Sequence, residues 1–217
     1  MTEWCYFGRL LLLALAPSFS IFASQGNPAS IPSTGQPKHE AYALELLWWP
    51  EYCHDNPQLK YCAGASFQGF VLGAFIPLSE EGQIRRCETQ IENFRPDNKL
   101  LKVMPDETLL EVQWKLYGAC SGLSQTRYFD HLSRIYKSVR IPKEFISPED
   151  HFEVSVSQAK QEFLRKNAAL SPDALSVFCR SGFLSKVQIQ RGSHMVKPTE
   201  TCDLPRVKVI VRMPLAE

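Results

Sequence analysis

The sequence lacks several patterns that mark large classes of protein. Its 217 residues carry 24 Lys and Arg against 23 Asp and Glu, a formal net charge of +1, so the overall excess of positive charge common in nucleic-acid-binding proteins is missing. A net charge of +1 is still compatible with a local basic patch. The chain has no Gly-x-Ser-x-Gly elbow, no glycine-rich phosphate loop and no His-x-x-x-His pair, which argues against common serine hydrolases, P-loop proteins and zinc hydrolases. We predict neither a metal nor a cofactor.

Cysteine is present, but no two cysteines form a Cys-x-x-Cys pair, which argues against zinc and thioredoxin-like redox sites. Cys5 lies in an N-terminal segment that we expect to be removed. The cysteines that remain are even in number, which favours disulfides in an exported protein, although the sequence leaves their pairing open. They are Cys53, Cys62, Cys87, Cys120, Cys179 and Cys202.

The N-terminus has the pattern of a secretory signal peptide. Arg9 precedes an apolar run over residues 10–17, and small residues follow as far as Ala23. The run is shorter than the roughly 20 residues that cross a bilayer. We therefore predict a signal peptide over residues 1–23, with an uncleaved membrane anchor as the alternative.

The remainder of the chain divides by composition into a leader and a domain. Residues 24–40 are rich in Pro, Gly, Ser and Asn, which predicts a flexible leader, and residues 41–217 are then expected to form a single domain. No asparagine stands in an Asn-x-Ser/Thr context, which favours a bacterial periplasm over a eukaryotic secretory route. We expect a secreted or periplasmic monomer that has no membrane contact after processing.

Apolar runs in the domain predict buried strands. Residues 43–49 form the first run, which Pro50 ends. A proline disfavours helix at the residue before it, which favours a strand for this run. Residues 50–62 are predicted to be a loop. Residues 67–77 form the second run. Three later stretches that alternate or are rich in β-branched residues predict further strands at 176–180, 183–190 and 206–212.

Two other stretches predict helices. Apolar side chains recur at helical spacing over residues 124–139, and Ser124 is suited to be the N-cap. Residues 153–167 predict a second helix, with Ala159 and Phe163 facing inward. The mixture of strands and helices indicates an α+β domain.

Residues 111–123 read Glu-Val-Gln-Trp-Lys-Leu-Tyr-Gly-Ala-Cys-Ser-Gly-Leu. This stretch resembles the second active-site segment of the ribonuclease T2 family, His-Glu-Trp-x-Lys-His-Gly-Thr-Cys, which is often followed by Ser-Gly-Leu and a helix. The shared positions are Trp114, Gly118, Cys120, Ser121, Gly122 and Leu123. The resemblance extends over about residues 42–212. It implies a central antiparallel sheet that is flanked by helices and braced by disulfides.

The resemblance also implies how the cysteines pair. In the family, the cysteine after the first active-site segment is bridged to the one that closes the second. A second bridge would close the short loop after the first strand, and a third would tie a late strand to the loop before the last strand. The implied pairs are Cys87–Cys120, Cys53–Cys62 and Cys179–Cys202.

The family cleaves RNA by attack of the ribose 2′-hydroxyl on the adjacent phosphate, with His, Glu and Lys side chains as the acid–base and charged groups. In this chain those groups are replaced. Alignment of the first segment on Phe70 and Pro77 places its histidine at Gly73. The second-segment positions hold Val112, Gln113, Leu116 and Tyr117. None of these side chains exchanges a proton readily near neutral pH, because phenols ionise far above it and the others do not ionise.

The cleft that the resemblance implies would be lined by aromatic side chains and one lysine. Aromatic rings stack on bases and a lysine meets phosphate, so these residues are candidates for weak binding of RNA or nucleotide. Core packing is the other interpretation of the aromatic residues. The candidates are Phe75, Trp114, Lys115 and Tyr117, together with His54, whose proximity to Tyr117 needs testing. The histidines are otherwise interpreted as surface groups.

Three functional hypotheses remain open. The first is a catalytically inactive ribonuclease-like protein that binds RNA, nucleotide or a protein partner. The second is an active endoribonuclease that forms a 2′,3′-cyclic phosphate with altered residues. The third is an unrelated secreted interaction domain, which a fold without a central antiparallel sheet would favour.

Overall fold

The structure is a computed structural model that describes residues 41–63, 69–79, 81–87, 94–95, 98–192, 195, 198, 201–202 and 208–213. All of these belong to one compact unit that spans residues 35–217. The signal peptide predicted for residues 1–23 and the leader predicted for residues 24–40 lie outside the described residues. None of the helices among the described residues is long and apolar enough to cross a membrane.

Six strands in the described part of the chain form one sheet. They are β1 (Tyr42–Trp48), β2 (Phe70–Pro77), β3 (Phe152–Ser155), β4 (Leu175–Arg180), β5 (Phe183–Arg191) and β6 (Lys208–Val211). The order across the sheet is β2-β1-β5-β6-β3, and β4 also pairs with β5. The pairs are antiparallel apart from a short parallel contact between β5 and β6. The predicted central antiparallel sheet is confirmed.

Helices pack on both faces of this sheet. The α-helices of the described residues are α1 (Trp49–Asp55), α2 (Glu107–Gln113), α3 (Gln125–Ser138) and α4 (Val156–Lys166). Short 3₁₀ turns lie at Lys60–Cys62, Leu100–Lys102, Lys143–Phe145 and Pro172–Ala174. The helix predicted over residues 124–139 is confirmed, and the Ser124 hydroxyl accepts a hydrogen bond from the Arg127 amide at 3.4 Å, as expected of an N-cap.

Two local predictions were wrong. The first residues of the predicted loop 50–62 form α1, because a proline in the first helical turn removes only an amide that has no partner within the helix. The helix predicted from residue 153 begins at Val156 instead. Ser155 and Gln158 form a capping box there, with bonds of 3.1 and 3.2 Å, and the residues before it pair with β6 as β3.

The main core lies between one face of the sheet and helices α2, α3 and α4. Leu44, Leu46 and Trp48 of β1 point into it, together with residues such as Phe129 of α3 and Phe163 of α4. The opposite face of the sheet carries a smaller apolar cluster with α1. It consists of Trp49, Cys53, Cys62 and Val71.

Two of the three predicted disulfides are confirmed, and one is not formed. Cys53 is bonded to Cys62, and Cys87 to Cys120. The implied Cys179–Cys202 bond was wrong, since no disulfide joins these two half-buried residues. The Cys202 amide donates to the Val177 carbonyl at 3.1 Å, and its sulfur lies 3.4 Å from the same oxygen. This sulfur is directed at the main chain of β4 rather than at Cys179.

Candidate functional site

The segment that carries the resemblance begins at a capped helix. Asp106 is 4% exposed, and its carboxylate accepts hydrogen bonds from the Thr108 amide at 2.7 Å and the Tyr52 hydroxyl at 2.9 Å. Burial, followed by the bond to Asp106, raises the pKa of Tyr52 well above its ordinary value. The start of α2 is thereby held against α1.

Beyond Gln113 the helix widens into a π-helical turn over Trp114–Gly118, which the Ala119 amide closes by donating to the Trp114 carbonyl at 2.9 Å. Single π-helical turns in helices are rare and often lie at functional sites. The turn leaves Gln113 and Tyr117 only 2% and 8% exposed, whereas Val112 is 44% exposed. The segment therefore has a buried side and a solvent-facing side.

Gln113 joins the buried side of α2 to strand β2. Its carboxamide nitrogen donates to the Phe75 carbonyl and to the Tyr128 hydroxyl, each at 2.7 Å. Its oxygen accepts from the Phe75 amide at 2.9 Å. A carboxylate at this position could accept the hydrogen bond from the Phe75 amide, but it has no hydrogen to donate to the Phe75 carbonyl. The carboxamide of Gln113 is thus fitted to a structural contact.

Burial and this network also act on Tyr128. Burial of its ring raises the pKa of Tyr128 well above its ordinary value, the hydrogen bond to Gln113 opposes that rise, and the charge that Tyr117 would carry adds to it. Tyr128 therefore stays protonated at neutral pH and acts as a neutral hydrogen-bond partner.

Gly118 is required by the packing of this segment. A Cβ added to it would collide with the Trp114 ring and would lie 2.8 Å from Cε1 of Tyr128. Both rings are in the core. The glycine that the chain shares with the family motif is therefore explained by close approach of two aromatic side chains.

The aromatic binding candidates are part of the core. Phe75, Trp114 and Tyr117 are 0%, 7% and 8% exposed, and the Trp114 ring lies edge-on to Tyr128 with a centroid distance of 5.7 Å. Rings buried in this way present no face on which a base could stack. The prediction that they line a binding cleft was wrong, and core packing, the other interpretation, applies.

Gly73 does not lie with Gln113 and Tyr117. The register between β1 and β2 shifts between Glu45 and Leu46, which leaves Gly73 as the extra residue of a β-bulge. A Cβ on Gly73 would lie 2.5 Å from Cγ of Leu47, and Leu47 packs with the cluster on the opposite sheet face. The alignment that placed the family's first histidine at Gly73 does not bring this position to the Gln113 cluster.

The solvent-facing side of the segment carries little chemistry. The Lys115 ammonium is 2.6 Å from the Glu111 carboxylate, and both side chains are about half exposed. Leu116 is half-buried, and its carbonyl accepts from the Cys87 amide at 2.7 Å. Within the described ranges, Lys115 is the only cation of the segment 106–120, and a carboxylate already pairs with it.

The three described histidines, His54, His131 and His151, lie on different parts of the fold. His54 is exposed near the end of α1, on the side of the smaller cluster, and is not brought to Tyr117. His151 accepts a hydrogen bond from the Met213 amide at 2.8 Å. His39 and His194 lie outside the described residues.

His131 differs from the surface group that the sequence predicted. This half-buried side chain on α3 lies edge-on to Phe75, with ring centroids 6.1 Å apart. Burial, and then the positive charge of Arg134, lower the pKa of His131. Its imidazole is thus a titratable group beside the residue that Gln113 binds.

A cavity of about 640 Å³ lies beside α3, and no motif in the sequence predicted it. Its wall contains four cationic side chains and one carboxylate, along with neutral polar and apolar groups. The signal was the polar face of the same helix, where Thr126, Asp130, Ser133 and Lys137 recur at helical spacing. The lining residues are Arg95, Lys99, Leu100, Lys102, Val103, Gln125, Thr126, Asp130, Ser133 and Lys137.

The chain is similar in sequence to a known protein, although the similarity covers only part of each chain. No protein-family profile matches the chain. A protein described as "Ribonuclease" from Aeromonas hydrophila is 28% identical over 116 residues, an alignment that covers 54% of this chain and 50% of the relative. The chain thus matches about half the length of this curated relative.

Solved structures are similar over a larger part of the chain. The RNase-related protein from Calystegia sepium has a TM-score of 0.56 at 18% identity, covering 80% of this chain and 96% of that one. Ribonuclease MC1 from the seeds of bitter gourd has a TM-score of 0.56 at 16% identity, covering 78% and 98%. A variant of ribonuclease MC1 in complex with 5′-UMP has a TM-score of 0.57 at 15% identity, covering 78% and 96%. The chain therefore has an α+β fold of the ribonuclease T2-like type.

Proposed function

We propose that the chain is an exported protein of ribonuclease T2-like fold that binds RNA or nucleotides without cleaving RNA. The observation that carries this proposal is the hydrogen bonding of the Gln113 side chain. Its carboxamide is committed to Phe75 and Tyr128 by three hydrogen bonds, so the position of the family's glutamate contributes to the fold and offers no carboxylate.

The other second-segment positions support loss of catalysis. Val112 and Leu116 carry aliphatic side chains, and Tyr117 is packed in the core. Each positioned proton-transfer group typically accelerates a reaction by about 10²–10⁴-fold. Because groups within one site act together, loss of one removes most of the rate. We expect no turnover from this segment.

A ligand of nucleotide type is supported by the fold. Variants of ribonuclease MC1 have been solved in complex with 5′-UMP and with 5′-GMP, and we propose the same ligand class for this chain. Since the described candidate aromatics are buried, contacts with phosphate and ribose would carry the affinity rather than stacking on the bases. A protein ligand stays a prediction, and no contact within the described residues favours it.

Cleavage is tested with the purified, disulfide-bonded protein and polyuridine, with formation of 2′,3′-cyclic products followed by chromatography. We expect no product above the protein-free blank, under conditions in which a ribonuclease of the same fold digests the substrate. Titrations with 5′-UMP and with an oligouridylate then test binding. Cleavage that co-elutes with the protein and is abolished in Tyr117→Phe or Lys115→Ala contradicts the proposal.

An active enzyme with altered residues is the second candidate, and His131 is the observation that favours it. Its imidazole lies beside Phe75, and burial lowers the pKa of His131, so its neutral form, which can accept a proton, predominates at neutral pH. Loss of polyuridine cleavage in His131→Asn, with cleavage by the wild type, would establish this candidate. A domain of unrelated fold no longer competes, because the sheet flanked by helices is present.

Export is proposed from the two disulfides, Cys53–Cys62 and Cys87–Cys120, since such bonds persist mainly in oxidising compartments. The signal peptide predicted over residues 1–23 is part of the same proposal. N-terminal sequencing of the protein recovered from the periplasm or the medium tests it. We expect the mature chain to begin near residue 24.

A further inference from the structure

We propose that the cavity between Arg95, the 3₁₀ turn Leu100–Lys102 and the polar face of α3 is a binding site for the sugar–phosphate backbone of single-stranded RNA. This inference rests on the proposed RNA-binding function and places it at residues outside the segment 111–123 that resembles an active site. The volume of about 640 Å³ is within the usual range of ligand pockets.

Charge is the first argument for a phosphate ligand. Four cationic side chains, Arg95, Lys99, Lys102 and Lys137, line the cavity against the single carboxylate of Asp130. The whole chain carries a net charge of only +1, so positive charge is concentrated here. For Arg95, Lys102 and Lys137, no salt bridge joins the side chain to a carboxylate of any described residue. These cations are available to pair with phosphate oxygens.

Hydrogen bonds tie the main chain of the segments that carry these cations to the rest of the fold, which reduces the entropy lost when a ligand binds. The Gln125 carboxamide clamps the main chain of Arg95, because its nitrogen donates to the Arg95 carbonyl and its oxygen accepts from the Arg95 amide at 3.4 Å. The amide of Val103 donates to the Leu100 carbonyl at 2.9 Å, and its carbonyl accepts from the Leu72 amide at 2.8 Å. Strand β2 thus anchors one wall and α3 the other.

Helix α3 adds a fixed partial charge of the same sign. Gln125 and Thr126 are its first two residues, and both line the cavity. The N-terminal end of a helix carries partial positive charge and favours anions nearby. The Ser133 and Thr126 hydroxyls supply hydrogen bonds that suit phosphate oxygens or a ribose hydroxyl.

The lining favours a polynucleotide backbone over a single base. No aromatic side chain is among the lining residues, and the apolar lining consists of Leu100 and Val103. Base stacking is therefore missing, and four separate cations exceed what one phosphate requires. Binding of this kind tolerates any sequence and weakens strongly with salt.

The test uses the full-length, disulfide-bonded protein and a labelled single-stranded oligouridylate of about twelve nucleotides, with the dissociation constant measured by fluorescence anisotropy at several salt concentrations. The test variant is Lys102→Gln with Lys137→Gln. The matched control is Lys143→Gln with Lys166→Gln, which removes the same charge at two exposed residues that do not line the cavity.

We expect the test variant to bind about tenfold more weakly than the wild type and to lower the salt slope by about 0.7 per lost contact. The control variant should keep wild-type affinity. Asp130→Asn should tighten binding about two- to threefold, because it removes the one carboxylate of the cavity. Misfolding cannot cause tighter binding. Thermal unfolding of each variant checks that the variants with weaker binding are still folded.

The outcomes separate this inference from the function on which it rests. Equal binding by the wild type and both double variants would overturn the cavity as the site and leave the RNA-binding function in place. Equal weakening in both double variants would also overturn it, since overall charge would then explain binding. If the wild type binds neither oligouridylate nor 5′-UMP, both proposals are overturned.

Discussion

Two regions of this molecule differ in how they use their side chains. The segment 111–123 resembles a catalytic motif, but its inward groups form neutral hydrogen bonds and aromatic contacts, as Gln113 and Trp114 do. The cavity beside α3 has no counterpart in that motif, yet most of its charged groups are cationic and lie at the surface. Sequence resemblance therefore points to a part that maintains the fold, whereas the charge distribution supports the binding site that we propose.

The difference has an energetic reason. A buried side chain is constrained by every neighbour, so a change there costs packing or leaves a polar group unpaired. An exposed lysine costs little to place and little to remove. Substitutions in the two regions should thus separate stability from binding, and the predictions below run from the largest expected effect to the smallest.

Gly118→Ala should lower the free energy of unfolding by about 3 kcal/mol, because the added methyl group overlaps the Trp114 ring and approaches Tyr128 to 2.8 Å. Urea unfolding followed by Trp fluorescence measures the loss. Val112→Ala, at an exposed position of the same segment, serves as the control and should change stability by less than about 0.5 kcal/mol. Equal losses of stability in the two variants would contradict the division of the segment into a buried side and an exposed side.

Gln113→Leu should cost about 2 kcal/mol, since it leaves the main-chain groups of Phe75 and the Tyr128 hydroxyl without the carboxamide. Gln113→Glu distinguishes hydrogen bonding from volume. Burial would raise the pKa of the new carboxyl group, so this variant should be more stable at pH 4, where the protonated group can donate to the Phe75 carbonyl. Its stability should fall as pH rises through that raised pKa. A pH-independent loss relative to the wild type would contradict the network.

His131 should make stability depend weakly on pH. Burial and Arg134 lower the folded-state pKa of His131 below its ordinary 6.5, so unfolding takes up a proton between the two values. Its stabilising contribution is thus present above about pH 6.5 and is lost as pH falls through the folded-state pKa. The loss should be below about 1 kcal/mol because the side chain is only half-buried. His131→Gln should remove this dependence in a pH series of urea titrations.

Lys102→Gln with Lys137→Gln should leave the free energy of unfolding within about 0.5 kcal/mol of the wild type, because both side chains are exposed. Removal of two like charges that line one cavity should stabilise the fold slightly, because it reduces their mutual repulsion. Thermal unfolding at low salt measures this. A loss of several kcal/mol would show that the cavity lysines support the fold, and the contrast between the two regions would fail.

Much of the fold could be predicted from local patterns. The positions of β1 and β2 followed from their apolar runs, and α3 followed from its periodicity and the Ser124 cap. These elements are encoded by neighbours within a few residues of one another. The Cys53–Cys62 and Cys87–Cys120 bonds followed from the family resemblance.

The features that could not be predicted depend on distant pairing. Residues 152–155 became β3 because β6, more than fifty residues later, lies beside them. The bulge between Glu45 and Leu46 turned Gly73 away from the Gln113 cluster, and only a paired strand shows such a shift. The implied Cys179–Cys202 bond was wrong because the amide and the sulfur of Cys202 are both directed at the Val177 carbonyl.

The sequence by itself determined which residues are able to exchange protons, because side-chain chemistry at Val112, Gln113 and Leu116 does not depend on their surroundings. Tertiary structure decided that Trp114 and Tyr117 are buried and that cations from a loop, a 3₁₀ turn and α3 meet at one cavity. Burial and the gathering of charge arise from packing between segments far apart in the chain, which no local pattern records.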